Sequence, residues 1–248
     1  MSDQVATRMR IYEDGLRATR GAFVAAGEES LERRHFRDFS VTLDIDREYP
    51  GARGFGIIRR VPAGDEASFV AGARADGWPD FGIRQLEPHA GDRYVIQHIE
   101  PVERNAAAVG LDVASEGRRR QAAQISMRSG EATLTGVITL VQATGQPLRA
   151  FLLMLPIYRP GADIASGAAR EAAVIGWSYA PLIIDEVLQG MDWADGQFTI
   201  ALRDAADTDA KDFFVSPGGG MPAAAGLSRE VVFKIYGRAW VADVRATP

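Results

Sequence analysis

The sequence predicts an α+β chain in which a long N-terminal helix is followed by two antiparallel sheets, the second smaller than the first. Three observations predict it. Val5, Met9, Tyr12, Leu16, Thr19, Phe23 and Ala26 alternate spacings of four and three, which lays one stripe along a helix. From residue 55 onward, short apolar runs bounded by Gly and Pro recur with helical stretches between them, the order of an antiparallel sheet with its helices outside it. The stretch RPGADIASGAAREA at 159–172 has little apolar periodicity and reads as a connection between two compact units. The chain therefore divides into helical residues 1–45, a first sheet unit over 46–165 and a second over 166–248.

Each element follows from local signals. The N-terminal stripe has the a/d rhythm of a coiled-coil seam, which predicts a homodimer through this helix. The alternative is an amphipathic helix lying on its own core, and Thr19 in a seam position weakens the zipper. Ser30 is placed to cap a second helical stretch through Phe39. YPGARG at 49–54 ends it, and 55–61 reads as a strand. A helix over 65–76, a strand FGIRQL at 81–86 and an alternating strand at 93–99 follow. Residues 103–128 read as largely helical, broken near Gly110 and capped again at Ser115. Runs 134–141 and 148–158, separated by ATGQP, suit antiparallel partners in a hairpin. In the second unit, 173–179 reads as a strand, 181–190 as its main helix, and 198–203, 213–215, 231–236 and 239–244 as further strands.

Composition excludes several functions. With 46% hydrophobic and 25% charged residues in 248, the chain can bury a core. Its net charge is −5 and its basic residues are scattered among acidic ones, so no stripe exists to neutralise a row of phosphates and nucleic acid is not expected as a partner. The absence of cysteine removes disulfides, thiolate nucleophiles and Cys-ligated zinc, and says nothing about compartment. No apolar run approaches the roughly 20 residues of a membrane span. The start MSDQVATRMR lacks the apolar core of a signal peptide, so the anchors of a secreted or membrane-bound parent would lie outside this sequence.

Five segments, in order, carry a resemblance. YPGARGFGIIRRVP at 49–62, Phe69 with GWPDFGIR at 77–84, IEPVERNAAAVGLDVASEGRRR at 99–120, TLTGVITLVQ at 133–142 and FLLMLPIYR at 151–159 resemble the CHASE family of sensor domains. The resemblance implies a stalk helix carrying two tandem PAS-like subdomains, one membrane-distal and one membrane-proximal. It also implies a periplasmic or extracellular location between membrane helices, and a parent that is a histidine kinase, a diguanylate cyclase or a related receptor. The function implied is reception of a small molecule in the distal subdomain and transmission of that event through the membrane. The alternative is a ligand-free dimerisation or protein-interaction domain.

By the same resemblance, Val113, Arg119, Thr135, Thr139, Val141 and Met154 fall at or near ligand-lining positions. Arg119 stands where the plant cytokinin receptors of the family carry an aspartate that bonds the adenine ring. An arginine has only donors and a fixed charge and cannot accept from a purine N–H. Either a small anion is held by Arg119, with Arg118, Arg120 or Arg128 assisting, or the run RRR is a solvated helix face. No catalytic set, cofactor or metal site is expected. His35, His89 and His98 lack the spacing of a helical zinc site, His98 reads as a packed strand residue, and no P-loop or GxSxG elbow occurs.

Overall fold

The computed structural model describes residues 2–28, 30–140, 148–191, 198–207, 211–216 and 228–246. Helix α1 (Ser2–Ala26) is set by the predicted stripe, and Val5, Met9, Tyr12, Leu16, Thr19 and Phe23 are all buried. They are buried under the chain's own first sheet, the arrangement of an amphipathic helix lying on its own core. Gly15 permits the approach, since a Cβ there would meet the Phe55 ring at 2.5 Å.

Helix α2 (Arg33–Val41) starts three residues after Ser30, which therefore is not its cap. The carboxylate of Asp76 accepts the Arg33 N–H at 2.9 and 3.1 Å, satisfying the exposed amide from a distant helix end. A single turn, α3 (Ile45–Glu48), leads to β1 (Phe55–Val61), α4 (Glu66–Ala75) and β2 (Arg93–Glu100). The expected strand at 81–86 is irregular. Phe81 is buried but Leu86 is exposed, so the apolar row is not continued, and among the described residues the segment pairs only through a bridge from Arg84 to Leu111.

Residues 102–115 form three short 3-10 turns in place of the expected helix, interrupted where Gly110 adopts φ +83°. Helix α5 (Gly117–Ser129) is capped by Glu116, whose carboxylate accepts the Arg118 and Arg119 N–H groups. Ser115 misses the role by one position, accepting the Leu86 N–H and donating to the Asp112 carbonyl. The run expected as one strand at 134–141 is broken by Gly136 into β3 (Thr133–Leu134) and β4 (Ile138–Thr139). Both pair antiparallel with β5 (Arg149–Tyr158), as expected of hairpin partners, and the ATGQP connection lies outside the described residues.

Helix α6 (Gly167–Ala173) precedes β6 (Val174–Ile183), and here the strand assignment is corrected. β6 pairs with both β1 and β5 and is buried along its whole length, so it is the central strand of the first sheet, ordered β2-β1-β6-β5-β3. The crossing to the second sheet follows residue 183. The helix expected over 181–190 shrinks to α7 (Ile184–Val187), because β6 takes its first residues. The second sheet contains β7 (Phe198–Asp204), β8 (Phe214–Val215), β9 (Ser228–Ile235) and β10 (Arg238–Ala246), in the antiparallel order β8-β7-β10-β9.

The first sheet has two covered faces. One carries α1 and, beyond its edge, the second sheet: Phe151 of β5 packs against Phe213 and Trp240 at 5.2 and 5.5 Å between ring centres. The other carries α5 and the 3-10 turns. Trp177 of β6 reaches across to donate to the Ala123 carbonyl of α5 at 3.2 Å.

Candidate ligand-binding face

The face under α5 is built from residues the sequence singled out and some it did not. Val113 lies in the last 3-10 turn and Met154 in β5; both are buried in one core with Ala122, Ala123, Met127 and Tyr179. Thr135 is also buried, but its hydroxyl accepts the Leu152 N–H at 3.0 Å, which ties it to the sheet. Thr139 is exposed, and it is its carbonyl that faces α5. Val141 lies outside the described residues.

Arg119 is the polar centre of this face. Its side chain is buried, donating from Nη2 to the Thr139 carbonyl at 2.9 Å and from Nη1 to Glu116 Oε2 at 3.3 Å. Burial pushes its pKa down from the ordinary guanidinium value, and the Glu116 charge opposes that shift. The reading of RRR as a solvated helix face fails at Arg119, while Arg118 is exposed and Arg120 half-buried. Arg118 bonds the Val137 carbonyl and Arg120 the Ala114 carbonyl at 2.6 Å, while Arg128 pairs with Glu171 at 2.8 Å. The proposed helpers of Arg119 thus have partners of their own. Arg119 clamps α5 to β4, and an anion replacing the Thr139 carbonyl would find a guanidinium already desolvated and aimed.

Two residues here were missed from sequence. Tyr179, in the centre of β6, is fully buried with a hydroxyl that has no hydrogen-bond partner among the described residues, and burial holds its pKa well above the usual phenol value. An unsatisfied buried hydroxyl costs on the order of 1–3 kcal/mol unless something bonds it. Asp112, inside LDVAS, is fully buried and accepts from the Tyr94 N–H, the Ala114 N–H and His89 Nε2 at 2.9, 3.0 and 2.7 Å. An acid inside an apolar loop was the available signal.

His98 stacks on Phe36 with ring centres 5.3 Å apart, in line with a packed strand residue, and burial lowers its pKa to about 4. Among the described residues no three His, Asp or Glu side chains converge as metal ligands, and no helix is long and apolar enough to cross a membrane. A cleft of about 1540 Å³ lies elsewhere, between α2, α4 and the β1–β2 edge.

Comparison with known proteins gives a family and a fold. The CHASE domain family matches residues 29–214. Among solved structures, the chain is similar to the periplasmic sensory domain of the Campylobacter jejuni chemoreceptor Tlp1, with a TM-score of 0.52 and 10% identity over 99% of this chain and 89% of that one. At that identity the likeness is one of fold. Curated proteins gave no match.

Proposed function

From the premise that this chain belongs to the CHASE domain family, we propose that it receives a small anionic molecule under α5 and passes that event to the output part of a membrane-bound receptor. Membership makes the chain an extracytoplasmic sensor region without chemistry of its own. The finer reading is ours, as is its extension to a histidine kinase or diguanylate cyclase parent.

The observation that carries it is the buried Arg119 clamp between α5 and β4. A carboxylate or phosphate that takes the Thr139 carbonyl's place on Arg119 changes how α5 is held to the sheet. A ligand shifts such an equilibrium only by binding the two arrangements differently, and a clamp whose partner is exchanged meets that condition. The Tyr179 hydroxyl supplies an unspent donor in the same core.

A second reading is favoured by the filling of that core. Val113, Thr135 and Met154 are each fully buried, which suits a domain that works by contact with another protein and holds no small molecule. Thermal-shift measurement of wild type and Arg119→Ala against organic acids, phosphates and purines separates the two, because a ligand of the folded state alone raises stability by mass action. Stabilisation of wild type by an anion, lost in Arg119→Ala, is the expected result. Equal stabilisation of both proteins by a neutral purine defeats the anion reading, and no response to any compound favours the second.

A further inference from the structure

The cleft between α2, α4 and the β1–β2 edge is a site in its own right, separate from the face around Arg119. Six of its charges cancel at contact distance: Arg59 with Glu28 at 2.6 Å, Arg60 with Asp92 at 2.7 Å and Arg34 with Glu32 at 2.6 Å. Asp65, Asp76, Glu103 and Arg159 also line it, Asp76 holding the Arg33 main-chain N–H, and three further charges matter here. Glu100 of β2 is buried, accepts the Val102 N–H at 2.8 Å and joins no ion pair among the described residues. Arg33 lies with its guanidinium 3.9 Å over the Trp78 ring and one N–H on the Gly77 carbonyl at 3.3 Å, without a carboxylate partner for its side chain among the described residues. Arg37, one turn further along α2, reaches only Asp38 at 3.8 Å and is exposed.

These charges act on one another without touching. Burial, aided by the Glu103 charge, holds the Glu100 carboxyl above its ordinary pKa, and the Val102 N–H and the charges of Arg33 and Arg37 act in the opposite sense. In the same cleft lining, the Oε1 atom of Gln97 is buried with no hydrogen-bond partner among the described residues. Phe69 and Ala73 of α4 add an apolar wall. Opposite charges lining one open cleft complement a molecule that carries both, because each gains a charge-assisted hydrogen bond. Stacking on Trp78 fixes the Arg33 fork in the plane a carboxylate matches bidentately.

The geometry points to a binding site for a small zwitterion of the α-amino acid class, its carboxylate on Arg33 and Arg37 and its ammonium on Glu100 and Gln97. Calorimetry and thermal shift with each proteinogenic L-amino acid, added singly, test it. At least one is expected to bind, its N-acetyl and amide derivatives are not, and Glu100→Gln and Arg33→Ala each weaken binding about tenfold or more. Should Glu100→Gln fail to fold, the N-acetyl comparison on wild-type protein still decides. An N-acetyl derivative that binds as well as the free amino acid overturns the proposal, and so does a panel with no response. Binding lost in Arg119→Ala but kept in Glu100→Gln also overturns it, while leaving the role of the α5 face intact.

Discussion

The main-chain N–H of Leu134 donates to the carbonyl of Tyr236 at 2.9 Å, so that β3 at the edge of the first sheet hangs on the hairpin turn of the second. That turn is the pair Tyr236–Gly237, both at positive φ (+43° and +78°), the two-residue geometry whose twist suits a tight hairpin. A tyrosine in the left-handed region is costly, and here its hydroxyl is held by Glu13 of α1. One residue thus joins α1, the first sheet and the hairpin that leads into β10. On the proposed function, in which a ligand takes the Thr139 carbonyl's place on Arg119, movement of β3 or β4 would have a direct route to the C-terminal strand.

Tyr236→Phe keeps the ring and removes only the bond to Glu13. It is expected to lower stability by about 1 kcal/mol in denaturant titration. Hydrogen exchange at the Leu134 amide should quicken with it, since the turn that accepts that N–H is then held less firmly. An unchanged exchange rate at Leu134 would separate the turn from the α1 contact.

Asp112 organises the 3-10 segment that covers the α5 face, gathering the Tyr94 and Ala114 amides and His89 on one fully buried carboxylate. Asp112→Ala leaves two buried N–H groups without partners and is expected to cost about 3 kcal/mol in urea unfolding. His89→Ala, which removes a partner at the surface end of the network, should cost less than half of that.

Much of this organisation was legible in the sequence, and what was not has a common cause. The α1 stripe, β1, β2, β5 and the strands of the second sheet carry local periodicity that tertiary packing only had to accept. β6 was placed in the wrong sheet because its membership is decided by pairing with β1, more than a hundred residues earlier, and no local pattern records that. Asp76 capping α2, Arg119 reaching Thr139 and the Tyr236 turn are likewise contacts between distant segments. Arg119 itself was found through a family pattern, whereas its neutralisation by Glu116 and a carbonyl required the fold.

His98 makes stability depend on pH. Burial, reinforced by the charges of Arg59 and Arg33, lowers its pKa from 6.5 to about 4, and a hydrogen bond with the Leu31 backbone works against that. Above pH 6.5 the imidazole is neutral in both states and costs nothing. Below it the unfolded chain takes up a proton that the folded chain refuses until about pH 4, so stability falls as pH falls across that window. The full loss is about 3 kcal/mol. His98→Phe should flatten the slope of unfolding free energy between about pH 6.5 and about pH 4 relative to wild type. Parallel slopes in the two proteins would show that other groups set it.

Two glycines in α1 test which face of that helix is occupied by the chain itself. Gly15 lies against Phe55 and Tyr49, and the Cβ of Gly15→Ala would sit 2.5 Å from a ring atom, so the helix or the ring must shift at a cost of about 2 kcal/mol. Gly21 has nothing within 4 Å of its Cβ position and is exposed, so Gly21→Ala should stabilise by about 1 kcal/mol through helix propensity alone. Thermal unfolding of the two variants is therefore expected to move in opposite directions. Were the stripe turned toward a second copy of the chain, the Gly15→Ala penalty would diminish on dilution as the copies separate. A penalty independent of protein concentration places the stripe on the chain's own sheet, and leaves any partner of this helix to the face that carries Gly21.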